Sequence, residues 1–246
     1  VKIPEGSLLS APFPAPVGGY TETILRMIDV IFAAASQAAP DRVVANAYGT
    51  INALSISGKR ANGQPWVMFS FYGGGHGGSI ETDGLNHGNA PISTATIPPM
   101  EILEAAYPVM FKQWALRPDS AGAGMHRGGM GATYEIEVLE ESATAFLFGE
   151  RGRFAPKGAA GGSDAAMNVF AYEQADGWHT PPMASKMVGI KLQRGQSVRL
   201  DTPGGGGYGP AADRAASDVA KDVAGGLLTP EHATLTYGNA WKEVTQ

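Results

Sequence analysis

The segment Trp66–Pro99 constrains the fold of this chain more than any other part of the sequence. An apolar run, Trp66–Tyr72, leads into five glycines around His76, and a loop rich in polar residues follows. Glycine lets other atoms approach the backbone closely and tolerates positive φ, at a cost in conformational entropy on folding. A strand that ends in such a loop is typical of a site wall. A tight, buried crossing of chain segments is the alternative explanation.

Two further glycine-rich segments, Arg117–Gly131 and Thr202–Pro210, lie later in the chain. The 34 glycines of the whole sequence are about twice the average frequency. They lie between apolar runs and not in a low-complexity tail. We therefore interpret them as turns in a β-rich globular body.

Composition limits the classes of function that the chain can have. The 246 residues are 43% hydrophobic, which is enough for a sizeable core. A net charge of −5 with dispersed signs does not indicate a nucleic-acid surface. Without cysteine there can be no disulfide and no thiolate site, and a reducing compartment fits, so we expect a cytoplasmic protein. Polar residues interrupt the apolar stretch Ile24–Ala39, which excludes it as a membrane span.

The hydrophobic pattern predicts an α+β fold: a β-rich body with a long buried N-terminal helix and short C-terminal helices. The long helix is expected from a Thr21 cap to Ala39, ending before Pro40, and is apolar on nearly every face. We expect it to pack against a sheet or a partner subunit. Thr229 and Pro230 are typical of a helix start.

The remaining predicted elements follow from short apolar or alternating runs bounded by turn residues. Asn62-Gly63 indicates a hairpin turn. The predicted elements are an extended segment Val1–Val17, strands at Val43–Ala47, Ile51–Ser57, Trp66–Tyr72, Val109–Leu116, Thr133–Leu139, Thr144–Phe148, Asn168–Glu173, Met187–Leu192 and Ser197–Asp201, and helices at Ala211–Gly225 and Leu228–Gly238. The segment Met100–Ala106 is ambiguous and could form a helical turn.

Well-known nucleotide and hydrolase motifs are weak or missing in this sequence. Gly73, Gly75 and Gly78 satisfy G-x-G-x-x-G, but no helical periodicity follows, so a dinucleotide site is not favoured. Gly204–Gly207 could hold a phosphate through backbone N–H groups, but a structural turn explains it more simply and no P-loop lysine follows. The five histidines form no H-x-x-x-H or H-E-x-x-H pair, and no G-x-S-x-G is present.

His76, Asp83 and His87 are the candidate catalytic residues. They belong to one loop system and could transfer protons or orient a substrate. Imidazole and carboxylate could also bind a metal. A lone loop histidine is more often a hydrogen-bonding residue, and we expect no metal bound by this chain.

Five further residues are candidates for substrate binding. Gly74, Gly75 and Asn86 belong to the loop system around His76. Arg117 and Arg127 belong to the second glycine-rich segment, where a guanidinium could bind a carboxylate with two hydrogen bonds. A structural arginine bonded to loop carbonyls is the alternative for both.

Five segments together resemble one family, and their order in the chain makes the resemblance specific. They are PEGS at Pro4–Ser7, GGGHGG…DG at Gly73–Gly84, RPDSAGAGMHRGGMG at Arg117–Gly131, TPGGGGYG at Thr202–Gly209 and DVAKDVAGGLLTPEHATLTYG at Asp218–Gly238. Over essentially the whole length, the chain resembles B-type subunits of the hydantoinase/5-oxoprolinase family.

The resemblance implies a subunit of an ATP-dependent cyclic-amide hydrolase that helps to form the substrate cavity. It also implies an A-type partner subunit that binds ATP and Mg²⁺ and phosphorylates the substrate. A related ketone carboxylase of the acetone or acetophenone type, and an assembly subunit without site residues, are the alternatives. We expect this chain alone to be inactive.

The sequence departs from the family pattern in length. It begins near the middle of that pattern and lacks the T-H-x-x-D and H-H-x-D metal motifs of the N-terminal half. We therefore expect residues 1–246 to be the C-terminal half of a B-type subunit, with a possible subdivision into 1–116 and 117–246. The missing N-terminal half is an expected partner, and it is where a divalent metal would bind.

Overall fold

The structure, a computed structural model, describes residues 2–7, 9–93 and 98–244, and this part of the chain contains nine strands and five α-helices. Residues 1 and 8 of the predicted extended segment, and residues 94–97 of the Trp66–Pro99 segment, lie outside the described residues. The predicted α+β class with a β-rich body is confirmed. Every ladder between named strands is antiparallel.

The first sheet is built on a hairpin at the predicted Asn62-Gly63 turn. Strands β1 (Ala53–Lys59) and β2 (Pro65–Phe71) pair from Ala53 opposite Phe71 to Lys59 opposite Pro65, and Gly63 has φ of 81°. Strand β5 (Ser142–Phe148) pairs with β1, and β8 (Lys186–Gln193) pairs with β5, giving the order β2-β1-β5-β8.

The second sheet has the order β3-β4-β9-β6-β7. Its strands are β3 (Val109–Leu116), β4 (Ala132–Val138), β9 (Ser197–Asp201), β6 (Val169–Gln174) and β7 (Gly177–His179). Strands from both sides of residue 116 pair in each sheet, so this position does not coincide with a division between the sheets.

One apolar core joins the two sheets. Side chains such as Ile56 and Met68 of the first sheet pack in the same cluster as Ile136, Phe170 and Leu200 of the second. In β2, Trp66, Met68 and Ser70 are buried whereas Val67 and Phe69 are exposed, so burial alternates along a strand that was predicted from a continuous apolar run.

The helices lie outside the sheets. They are α1 (Tyr20–Ala35), α2 (Met100–Ala106), α3 (Ala216–Ala224), α4 (Pro230–Tyr237) and α5 (Trp241–Val244), with single 3-10 turns at Pro40–Arg42 and Ala211–Asp213. The last three pack around a second apolar cluster that includes Met130, Leu228 and Trp241. The Thr229 cap of α4 is confirmed, since its hydroxyl accepts the N–H of His232.

Helix α1 differs from its prediction in bounds and in burial. Gly19 and not Thr21 is the N-cap, and the helix ends at Ala35. Among its described side chains, Glu22 and Leu25 are buried, whereas Val30 is 68% exposed and Ile31 is 50% exposed. The helix is therefore half buried in this chain, because one face has nothing to pack against.

Two other predictions fail on local grounds, and two short elements were missed. The segment 43–47 is not a strand, because its N–H groups bond to glycine-loop and Lys157 carbonyls and not to a neighbouring strand. The predicted helix Ala211–Gly225 is split into a 3-10 turn and α3. Strand β7 and helix α5 were not predicted, since both are short.

Within the described ranges, no helix is long and apolar enough to cross a membrane.

Candidate functional site

The glycine-rich segments lie against one another and form the floor of the candidate site. Gly75 donates its N–H to the carbonyl of Pro203 (3.0 Å), and Gly205 donates to Gly129 (3.0 Å). Gly129 donates in turn to the carbonyl of His76 (2.8 Å). All three predicted glycine segments therefore meet at His76.

These glycines are required for close approach and not for positive φ. A Cβ at Gly75 would lie far inside the contact distance of the Gly129 carbonyl oxygen, and one at Gly205 would overlap the His76 carbonyl. None of the three has positive φ. The two explanations of this segment, site wall and tight crossing, are thus compatible, because the crossing holds His76 in place.

His76 is the large side chain of this floor. Its Nε2 lies 2.6 Å from the carbonyl oxygen of Asn89, and its ring stacks on Tyr48 with centroids 6.3 Å apart. Because a carbonyl oxygen only accepts, Nε2 carries the proton and Nδ1 of the neutral ring is an acceptor. Among the described residues, Nδ1 has no partner.

A cavity of about 450 Å³ opens beside His76, between α1 and the segment that precedes β1. Helix α1 is held there by Glu22, whose carboxylate accepts the N–H of Ile51 (2.7 Å) and the hydroxyl of Thr50 (3.2 Å). The described residues around the cavity are Leu25, Ile28, Asp29, Ile31, Phe32, Val44, Ala45, Asn46, Ala47, Gly49, His76, Gly77 and Pro91.

His87 lies apart from this cavity, in the aromatic part of the core. Its Nε2 is hydrogen-bonded to the hydroxyl of Tyr134, and its ring meets Trp114 edge to face at 6.1 Å. Burial lowers the pKa of His87. Its φ of 48° is unusual for a residue with a side chain and requires support from surrounding contacts.

Asp83 is the acceptor of a charged network. Arg214 binds both carboxylate oxygens at 2.7 Å, and the backbone N–H of Arg127 donates at 2.9 Å. Burial would raise the pKa of Asp83. The hydrogen bonds and charge of Arg214, with the charge of Arg127, outweigh burial, so the pKa lies below its ordinary value.

The Arg127 guanidinium is buried in the same network. It binds both oxygens of Asp222 at 3.0 Å, and its Nη1 donates to Asn86 Oδ1 (3.2 Å) and to the carbonyl of Gly128 (2.9 Å). Asn86 also accepts the N–H of Met130 (2.9 Å). These contacts match the structural alternative for Arg127, and its contact with substrate stays a prediction.

Arg117 and Gly74 occupy separate places. Arg117 donates to the carbonyls of Met167 (2.9 Å) and Thr202 (3.2 Å), and burial lowers its pKa. Gly74 exchanges backbone hydrogen bonds with Gly88 (3.0 and 2.7 Å), which closes the loop that carries Asp83 and His87. The structure thus groups Asp83, Asn86 and Arg127, while His76, His87 and Arg117 each have different surroundings.

Sequence reasoning missed the partners that come from distant parts of the chain. Arg214 and Asp222 complete the network around Asp83, and Asn46 lies at the cavity. None stands in a motif. The one local signal was that Asp222 belongs to the predicted helix Ala211–Gly225. In the part of the chain that the structure describes, no three His, Asp or Glu side chains converge to hold a metal.

Comparison with known proteins identifies the family. A family model described as hydantoinase B/oxoprolinase matches residues 1–211, and the chain belongs to this family. It is 31% identical over 246 residues to caprolactamase subunit beta of Pseudomonas jessenii, covering 96% of this chain and 42% of that relative. The chain therefore spans less than half the length of the subunit that it matches.

Two solved structures have the same fold. The ATP-dependent caprolactamase from Pseudomonas jessenii superposes with a TM-score of 0.88 at 28% identity, covering 97% of this chain and 42% of that one. A nucleotide-free acetone carboxylase superposes with a TM-score of 0.66 at 23% identity, covering 87% and 32%. The second likeness concerns the fold alone.

Proposed function

We propose that this chain is part of the B-type component of an ATP-dependent hydrolase of cyclic amides, and that it forms one wall of the substrate cavity. The similarity to the ATP-dependent caprolactamase, a TM-score of 0.88 over 97% of this chain, carries the proposal. The cavity beside His76 supports it, because about 450 Å³ of mostly apolar space suits a small ring.

ATP and Mg²⁺ belong to an A-type partner subunit in this proposal, since this chain has no P-loop. Transfer of the γ-phosphoryl group to the amide oxygen releases ADP and makes that oxygen a leaving group. Water then adds to the activated carbon, the ring nitrogen takes up a proton and leaves as an amine so that the C–N bond breaks, and a second water hydrolyses the resulting acyl phosphate to a carboxylate and phosphate. We assign any divalent metal to the N-terminal part of the B-type component, and we place the complex in the cytoplasm.

His76 is the residue of this chain that we assign to the reaction. The carbonyl of Asn89 sets its tautomer, and Nδ1 is then available to accept a proton or a substrate N–H. A ring stacked on Tyr48 and held by packed glycine backbones is preorganised, as proton transfer requires.

Reconstitution tests the proposal. The chain is coexpressed with the N-terminal part of a B-type component and an A-type subunit, and ADP release is measured with and without hydantoin, 5-oxoproline or ε-caprolactam. We expect cyclic-amide-dependent ADP release from the complex and none from the chain alone.

Two outcomes would replace the proposal. ADP release that needs acetone or acetophenone together with bicarbonate would assign the chain to the ketone carboxylases. Full activity of a complex in which all the cavity residues are changed would make this chain an assembly subunit.

A further inference from the structure

The walls of the cavity beside His76 are mainly apolar. Leu25, Ile28 and Phe32 of α1 form one side, and Val44 lies on the other. The described side chains that bring polar atoms to these walls belong to Asp29, Asn46 and His76. An apolar site with a few placed polar groups selects its ligand through those groups.

Asn46 is the polar side chain at the cavity whose hydrogen-bonding groups are not all bonded within the protein. It is 9% exposed, and its Oδ1 accepts the N–H of Lys157 (3.3 Å). Its Nδ2 has no hydrogen-bond acceptor among the described residues. An amide donor at a cavity wall that bonds to no acceptor of the protein is available to the acceptor atom of a ligand.

His76 offers the complementary group. Nε2 is committed to the carbonyl of Asn89, and Nδ1 is left as an acceptor. The cavity therefore presents one donor and one acceptor. A cyclic amide is a cis amide, and its C=O and N–H lie on the same edge of the ring, where they can meet such a pair.

The charged groups near the cavity already have partners within the protein. Asp29 is the charged residue among the described lining side chains, and it binds Arg151 (2.5 Å) and Arg26 (3.0 Å). Neither arginine lines the cavity in the part of the chain that the structure describes. A carboxylate on the ligand would lose its hydration here without gaining an unpaired cation, and this is unfavourable.

We propose that the cavity binds a neutral cyclic amide, with Asn46 Nδ2 donating to the ring carbonyl and His76 Nδ1 accepting the ring N–H, and that it discriminates against ring substrates that carry a carboxylate. This inference rests on the proposed function and narrows its substrate class from cyclic amides in general to uncharged lactams. Asn46 is then a specificity-determining residue.

Equilibrium binding without ATP tests the inference separately from catalysis. Isothermal titration of the reconstituted complex compares 2-pyrrolidinone with 5-oxoproline, which is the same ring with an added carboxylate. We expect 2-pyrrolidinone to bind at least tenfold more tightly. Asn46→Asp keeps the oxygen that accepts from Lys157 but loses the donor, and it should weaken 2-pyrrolidinone binding at least tenfold.

Asn62→Asp is the matched control, because it makes the same chemical change in the exposed hairpin turn, where Oδ1 accepts the N–H of Gln64 (3.0 Å). It should bind as the parent complex does. Equal or tighter binding of 5-oxoproline would overturn the neutral-substrate inference, and an unchanged affinity in Asn46→Asp would overturn the role of Asn46. Failure of every lactam to bind would also overturn the neutral-substrate inference. In that case, ADP release with hydantoin would still support the proposed function.

Discussion

His76 is the residue on which the proposed chemistry depends most. Its ring is fixed by the Asn89 carbonyl and by Tyr48, and its backbone is fixed by Gly129. Because the ring and the backbone are already held in place, little further conformational entropy is lost when His76 is positioned for proton transfer.

We predict that His76→Ala in the reconstituted complex lowers kcat by about 10²–10⁴-fold, the usual contribution of a positioned acid or base. Steady-state ADP release and thermal melting of the same samples are the measurements. His179→Ala is the control, because His179 is only partly buried and binds Asp176 (2.7 Å) away from the cavity. A parallel loss of activity and melting temperature would assign His76 a structural role.

Arg127 was a candidate for substrate binding from the sequence, and in the structure its side chain belongs to the charged network. Its donors bind Asp222, Asn86 and a loop carbonyl, and the residue is 6% exposed. A buried ion pair is expensive to break, since the remaining partner stays charged and unpaired.

We predict that Arg127→Lys, which keeps the charge but loses the planar fork, destabilises the protein by about 1–3 kcal/mol. The loss would lower the melting temperature by about 2–4 °C per kcal/mol. We expect the same change to alter kcat/KM of the assembled complex less than threefold. The control is Arg199→Lys, at an exposed pair with Asp201, which should change neither the melting temperature nor kcat/KM. A tenfold fall in kcat/KM with normal melting would instead restore the substrate-binding role, since it corresponds to about 1.4 kcal/mol of lost transition-state stabilisation.

At the scale of elements, the charged network attaches α3 to the site loops. Arg214 precedes α3 and Asp222 lies within it, and through Asp83 and Arg127 they reach both the loop after β2 and the second glycine segment. The C-terminal helices are thus part of the support of the candidate site.

This attachment predicts a pH dependence of stability. Because the pKa of Asp83 is lower in the folded protein, the unfolded state binds more protons between the two pKa values, and stability rises with pH there. The contribution is complete above about pH 4, the ordinary range of an aspartate, and is lost as pH falls through the folded pKa. Thermal melting of the complex from pH 3 to 7 should therefore show a shallower acid loss in Asp83→Asn. Asp41→Asn, at an exposed position, should follow the parent curve.

The glycine segments are the second structural element that determines the site. A methyl group at Gly75 would meet the Gly129 carbonyl, and backbone atoms on both sides prevent relief. We predict that Gly75→Ala costs about 3 kcal/mol or more, at the upper end of overpacking penalties. Gly18→Ala is the control, since a Cβ there meets nothing within 4 Å and its φ is not positive. Soluble yield and melting temperature of the complex are the measurements, and a normal Gly75→Ala protein would show that the packing is looser than described.

At the scale of the whole molecule, this chain exposes a large apolar surface. The outer face of the first sheet presents Val67 (57% exposed) and Phe69 (51%), and Val30 of α1 is 68% exposed. Contiguous apolar patches on soluble proteins mark interaction sites. The chain also spans 42% of the length of its caprolactamase relative.

We predict that the isolated chain self-associates or aggregates and becomes monodisperse when coexpressed with the N-terminal part of the B-type component. Size-exclusion chromatography with light scattering is the measurement. Phe69→Lys should make the isolated chain more soluble and weaken assembly, whereas Leu235→Lys on α4 should leave assembly unchanged. A soluble, cooperatively folded monomer of the unmodified chain would contradict the prediction.

The sequence alone determined the features that depend on near neighbours. A short apolar run predicted β2, the Asn-Gly turn predicted the hairpin, and Thr229 with Pro230 predicted the start of α4. The order of the glycine segments indicated the family, and the glycines around His76 indicated where the chain segments meet.

Only the tertiary structure decided which residues meet across the chain. Arg127 and Asp222 are 95 positions apart, and no local pattern encodes their pairing. The half-burial of α1 depends on what packs against it, and Gly75, Gly129 and Gly205 are required by close backbone contact and not by φ. Propensity and periodicity act over a few residues, whereas burial, charge pairing and close backbone approach are properties of segments that only folding brings together.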